Sequence, residues 1–401
     1  MKLTEKTKYL FASLIYLSFA FDSLLKVNIG VKIHIGILLM LFFNIFYFFR
    51  VGFKNKIKLL KIDKWLILFA VYALFSGLFN VGLDSLFIFF YLFLALNVYF
   101  FIKKNIQYIT DNTIYSFHLL LIITGLIQFL LVMFFDYQLN FLGIDHYSKG
   151  SSVTYRLRGF FVEPNWFAIA FSFNFLLLVK NDVLGFIKKH TLLFVFTLLV
   201  LVFNGSYGTL AVLVITYGFQ FLKKNVVAGI VLAVIGSIGF FIMLEKRAEF
   251  KKGKSGLELF NYYSRTEPFN RVNSYFEDKP LTKKIFGEGL GSWGTIAIEN
   301  RLSVLTYDVR KYVRDSSELH VFLFELGLMG TFLFFLDIFY LYRRNLKPNF
   351  YINGAISLFV ISFLLYPVFK FLMYMVYFFI IRVLIQKNKK EELNKKLKIN
   401  G

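Results

Sequence analysis

Arg156-Leu157-Arg158-Gly159-Phe160-Phe161-Val162-Glu163-Pro164-Asn165 runs directly into Trp166-Phe167-Ala168-Ile169-Ala170-Phe171. Two arginines and a glutamate stand at the edge of an apolar run, and charge beside hydrocarbon is costly enough to mark a function. Pro164 pushes Glu163 towards an extended conformation and is itself well suited to a first helical turn. A helix is therefore expected to begin near residues 164–165, with charged groups at its mouth. Those charges suit an anionic, lipid-linked substrate.

Apolar runs of this kind recur along the chain. The protein has 401 residues, is 58% hydrophobic and 20% aromatic, and has a mean hydropathy of +0.63. Soluble domains are about half apolar and do not repeat apolar runs of span length. Twelve segments stand out: 9–25, 33–49, 65–80, 83–102, 114–135, 160–179, 191–204, 207–222, 225–244, 319–342, 350–366 and 368–386. Helices satisfy their own backbone hydrogen bonds, so they are the preferred spanning element. The expected fold is all-α: a polytopic membrane protein of about 12 transmembrane helices, one membrane domain over 1–401. The first run, Tyr9 to Leu25, lacks a small-residue cleavage site and is expected to be a span, not a cleaved leader. With no Cys, disulfides and thiolate metal sites are excluded.

The net charge of +22 is organised. Lys and Arg gather before the first segment, at 50–64, 103–104, 180–189, 223–224 and 343–347, and in the tail. The alternate short connections carry few. Basic short loops face the cytoplasm, so both termini are expected there, and the charge reads as topology and attraction to anionic membrane lipids. No nucleic-acid partner is expected. Two larger loops then lie outside, 136–158 and 245–317, the second a large, partly helical extracytoplasmic loop between spans 9 and 10. Loops this long are often functional.

The outer face gathers the reactive residues. Arg156 and Arg158 alternate, as on an extended strand whose side chains share a face, and guanidinium forks match phosphate oxygens. Arg271 and Arg314 of the long loop are further candidates for a diphosphate. Pairing of Arg158 with Glu163 to anchor the helix is the competing reading. His320 follows Ser316-Ser317-Glu318, where either serine suits a helix cap. It is the candidate general base, with Glu163 or Glu318 as support or as the base itself. Asn165, Tyr275 and Trp293 are candidates for glycan contact. His34, His118, His146 and His190 show no ligand-like spacing, so neither a metal nor a cofactor is expected. Gly287-Glu288-Gly289-Leu290-Gly291 lacks the strand–helix frame of a nucleotide loop and reads as a tight turn.

At these residues the chain resembles the O-antigen ligase and polymerase superfamily of bacterial membrane glycosyltransferases. Arg158-Gly159-Phe160 with Glu163-Pro164-Asn165 is similar to that family's segment before a span. Asn204-Gly205-Ser206-Tyr207-Gly208-Thr209-Leu210 is similar to the opening of its short helix hairpin. Ile285-Phe286-Gly287-Glu288-Gly289-Leu290-Gly291 and His320 with Glu325-Leu326-Gly327-Leu328-Met329-Gly330 are similar to the ends of its large loop and the next helix. The resemblance covers roughly 150–335. Val321 stands where the family often has Asn, and Ser206-Tyr207 where it often has Ser-Arg.

The resemblance implies polymerisation of polyprenyl-diphosphate-linked oligosaccharide repeat units into a surface polysaccharide. The reaction would occur without metal at the outer face of a bacterial cytoplasmic membrane, beside a flippase and a chain-length regulator. A ligase moving finished glycan to lipid A-core is the nearest alternative. A lipid or sugar transporter is the alternative of another class, and the polar residues at one face count against it.

Overall fold

The computed structural model describes residues 4–21, 27–28, 32–51, 61–78, 83–135, 156–224, 266–302, 317–345, 349–369 and 371–400. The helices are, in chain order, α1 (Glu5–Ser18), α2 (Ile35–Val51), α3 (Lys64–Leu78), α4 (Leu83–Asn105), α5 (Asp111–Phe135), α6 (Pro164–Val179), α7 (Val183–Lys189) and α8 (Thr191–Asn204). They continue with α9 (Tyr207–Lys224), α10 (Thr266–Glu277), α11 (Leu281–Phe286), α12 (Ile296–Glu299), α13 (Glu318–Arg344), α14 (Phe350–Leu365) and α15 (Leu372–Asn400). Val27–Asn28 and Lys32–Ile33 pair as a small antiparallel ribbon.

Local chemistry sets the helix ends. Thr4 Oγ1 accepts from Thr7 N and Asp182 Oδ1 from Gly185 N, both at 3.2 Å, capping α1 and α7. Pro164 opens α6, as the sequence predicts. Gly205, at φ 64°, ends α8 in the left-handed conformation and lets the chain turn straight into α9.

The apolar segments fold as helices wherever they are described; 225–244 lies outside the described residues. Crossing a membrane is a stricter requirement. Phe89–Tyr108, Asp111–Phe135 and Glu318–Arg344 are long and apolar enough, and α6 with α7, bent by 92°, adds a fourth if the pair is one span. The expectation of about twelve spans is thus corrected to three, or up to four, among the described residues. Length explains the difference. The 14-residue α8 rises about 21 Å, against roughly 30 Å of hydrocarbon. Large apolar side chains such as Phe42, Phe75, Phe134, Leu192 and Phe332 are exposed. Exposed apolar side chains on helices of this length are consistent with a helical membrane protein.

α13 lies along α3, α14 along α9 and α6, α15 along α4, and α5 along α6. Rings pack α13 against α3 and α14: Phe322 meets Phe69, Phe334, Phe363 and Phe369 with centroids 4.9–5.8 Å apart. Polar contacts mark the two ends of the bundle. At one, Asp63 meets Tyr99 and Arg382, Lys180 meets Asp111, and Asn181 meets Asn349. At the other lie 156–165, 204–206, 286–294, 317–320, 366–369 and Phe371, where the candidate site forms. Of the two expected outer loops, 136–155, 245–265 and 303–316 lie outside the described residues, and 266–302 holds α10, α11 and α12.

Candidate functional site

The first cluster joins two motifs that are some 40 to 50 residues apart in sequence. Leu157 N donates to Phe203 O at 3.2 Å, and Asn204 Nδ2 donates to Leu157 O at 2.6 Å and Pro164 O at 2.8 Å. Arg156 is half-buried between them. Its Nε donates to Asn204 O (2.8 Å), and its Nη2 to Asn165 Oδ1 (3.0 Å) and Ser206 Oγ (2.7 Å). Ser206 Oγ in turn donates to Asn165 Oδ1 at 3.0 Å. The N-termini of α6 and α9 therefore share one network around a guanidinium, and each end carries a partial positive charge. Arg158 has a different role in the fold. Its side chain is buried, and Nη1 donates to Phe161 O (3.3 Å) and Val162 O (2.9 Å), closing its own turn. Glu163 is exposed at the mouth of α6.

Asn204 is the pin of this cluster. Replacing it with alanine removes both carbonyl contacts from a buried position. Asn204→Ala is expected to cost about 1–3 kcal/mol, read as a lowered thermal midpoint in detergent. An unchanged midpoint would mean that these bonds do not hold the segment.

The second cluster forms where α13 breaks. Gly327 sits at φ 62°, ψ −167° inside the helix. The turn at Gly287-Glu288-Gly289-Leu290-Gly291 packs into that break: Glu288 N donates to Phe324 O (2.8 Å) and Gly289 N to Glu325 O (2.9 Å). Tyr72 Oη of α3 donates to Leu326 O at 2.8 Å and Phe286 O at 3.2 Å. Backbone carbonyls next to the break so find partners outside the helix, as buried acceptors must. Gly287, Gly289 and Gly291 all have positive φ, which the tight turn requires.

This turn delivers Trp293 to His320. The ring centroids are 4.9 Å apart at 63°, and Trp293 also meets Phe324 edge-on at 5.4 Å. Ser317 Oγ lies 3.0 Å from His320 Nδ1 in hydrogen-bond contact, so this serine addresses the histidine and does not cap α13. Trp293 N donates to Glu325 Oε1 at 3.3 Å. Ser317, His320, Trp293 and Glu325 are all buried.

Residues 366–369 and Phe371 join the clusters. Glu318, fully buried, accepts from Phe369 N at 2.8 Å. Phe371 stacks on Trp166 (5.3 Å) and meets Phe161 at 5.7 Å, next to the turn that Arg158 closes. Of the other candidates, Tyr275 on α10 donates to Glu288 Oε1 at 3.2 Å, and Lys283 pairs with the same carboxylate at 2.7 Å. Burial, with help from Glu288, pushes the Tyr275 hydroxyl up to about 12, so it stays a donor. Arg271 pairs with Glu267 and donates to Arg301 O at 3.1 Å on the outer side of α10. Arg314 lies outside the described residues.

Sequence reasoning did not assign roles to Asn204, Ser206 or Glu325, and it read Ser317 as a helix cap and not as the partner of His320. Their signal was weak because each acts through a partner on another segment or through a rotamer, and neither is written in spacing. Asn204, Ser206 and Glu325 did stand inside the quoted motifs. No protein-family model matches the chain, and no curated protein matches it significantly.

Proposed function

We propose that the protein is a membrane glycosyltransferase of the O-antigen polymerase type. It joins polyprenyl-diphosphate-linked oligosaccharide repeat units at the extracytoplasmic face of a bacterial cytoplasmic membrane. The observation that carries the reading is the meeting of separated landmarks. Residues 156–165 bond to 204–206, and 287–293 bond to the helix that bears His320, all at one end of the bundle. The short-loop basic residues favour the other end as cytoplasmic.

In this reading a hydroxyl of the incoming unit attacks the anomeric carbon of the growing chain. The bond from that carbon to the diphosphate oxygen breaks, and its electron pair leaves with the carrier. Arg156, beside the α6 and α9 N-termini, stabilises that charge, with Arg158 behind it and Arg271 and Arg314 as reserve contacts from the long loop. His320 takes the hydroxyl proton, and Ser317 orients it. Glu163, exposed at the mouth, is the carboxylate best placed for the acceptor; Glu318 holds the Phe369 amide. Asn165 and Tyr275 are the polar and aromatic contacts for sugar, whereas Trp293, buried against His320 and Phe324, supports the base instead. Exposed apolar side chains offer surface for isoprenoid tails.

His320→Gln and Arg156→Ala are expected to stop chain growth while protein level is maintained and lipid-linked single units accumulate. Surface glycan on gels and extracted lipid-linked saccharides give the readout. Full-length polymer in both variants would sink the reading. Accumulation of long lipid-linked polymer would replace it with a ligase.

A further inference from the structure

Glu325 is a buried carboxylate in the middle of an apolar helix, and the proposed chemistry leaves it without a task. Burying such a group is costly unless it is engaged. It grips the 287–294 turn twice. Its backbone carbonyl accepts from Gly289 N at 2.9 Å, and its side chain accepts from Trp293 N at 3.3 Å. Trp293 in turn lies across His320 and Phe324, which are four residues apart and share a face of α13. Ser317 holds one imidazole nitrogen at 3.0 Å. The histidine ring is thus bounded by a hydroxyl at its edge and an indole against it, and the indole's place depends on the Glu325 carboxylate.

We infer that Glu325 is a positioning residue: by holding the Trp293 amide it sets the indole against His320 and fixes the orientation of the imidazole. This rests on the reading of His320 as the base. The link is geometric and has a physical consequence of its own. A side chain that only needs an acceptor oxygen is replaced well by glutamine, whose Oε1 accepts the same N–H. Alanine or methionine removes the acceptor and leaves the buried Trp293 amide to seek another partner.

The chain has three tryptophans, Trp65, Trp166 and Trp293, so Trp65→Phe with Trp166→Phe leaves Trp293 as the sole emitter. In that background Glu325→Ala is expected to red-shift Trp293 emission and raise its quenching by acrylamide about twofold, and Glu325→Gln to restore both. In the full protein the alanine variant is expected to lower the polymerisation rate roughly 10- to 100-fold with KM for the lipid-linked unit little changed, as a misoriented catalytic group does. The glutamine variant is expected to retain most of the rate. A matching chain with Trp166 as sole emitter reports on the fold. If its emission also moves in Glu325→Ala, Glu325→Met is read by the same criteria.

Unmoved Trp293 emission in the folded alanine or methionine variant overturns the inference, and so does an equal shift in the glutamine variant. Emission that moves and is rescued supports the strap. If His320→Gln still polymerises alongside that rescue, the glycosyl-transfer reading of His320 falls while the strap stands.

Discussion

Gly327→Ala is expected to dislodge the 287–294 turn and abolish activity. A Cβ on Gly327 would stand 2.3 Å from Ile285 O and 2.5 Å from Gly287 N, both backbone atoms. The neighbour is no freer to yield, because a Cβ on Gly287 would meet Glu325 O at 2.5 Å. Gly327 also sits at φ 62°, which costs a non-glycine residue on the order of 1 kcal/mol or more. Alanine therefore favours a straight α13. A healed helix would reclaim the Phe324 and Glu325 carbonyls that now accept from Glu288 N and Gly289 N. The turn would lose its seat, and Trp293 its place beside His320. Each buried amide left without an acceptor costs about 1–3 kcal/mol. The expected result is an increase in cleavage of the turn by added protease and a loss of polymer, with α13 still helical. Gly218→Ala is the control. A Cβ there meets nothing within 4 Å, in helix α9, so stability should hold or rise slightly. Equal behaviour of the two variants would refute the claim that the break is packed backbone against backbone.

The break itself was only half legible in the sequence. In the sequence Gly327 and Gly330, three residues apart, permit close helix packing, which is a statement about side-chain size. That Gly327 interrupts the helix, and that the Gly287 turn fills the gap, depends on a partner some 40 residues away. The start of α6 at Pro164 was legible because proline acts on its own backbone and its nearest neighbour. The role of Arg158 was not. An extended strand would point Arg156 and Arg158 the same way, but Gly159 at φ 53° turns the chain, and Arg158 bonds to carbonyls just ahead of it. The number of spans was misread for a related reason. Hydropathy reports that a segment is apolar and not how far it reaches: α8 is apolar, with Leu192, Leu198 and Val202 exposed, yet its 14 residues are shorter than a span. Helices that are apolar on every side also give no stripe from which to read a facing direction.

Arg382 gives the largest expected change in stability, and it tests the frame instead of the site. It falls inside the last apolar segment, 368–386. The structure buries it fully in α15, between Asp63 before α3 and Asp337 of α13. Arg382 Nη1 donates to Asp63 Oδ1 at 3.1 Å, and Nη2 to Asp337 Oδ2; Phe378 covers the guanidinium at 4.4 Å. Tyr99 Oη of α4 donates to Asp63 Oδ2 at 2.5 Å, so four elements meet in one cluster. Removing one member of a buried ion pair leaves an uncompensated charge, which costs about 3–5 kcal/mol. Arg382→Met is expected to lower the thermal midpoint in detergent by that order, and Asp337→Leu in the same chain to recover a large part. Recovery is expected because Asp63 keeps Tyr99, and Lys103 lies 5.4 Å from the Tyr99 ring. Asp337 lies ten residues beyond Gly327, about 15 Å along α13. The double variant should therefore polymerise in proportion to the folded protein present. An Arg382→Met chain as stable as the parent would overturn the claim that this ion-pair cluster holds α4, α13 and α15 together. A stable double variant that is inactive would mean that the far end of α13 takes part in the reaction.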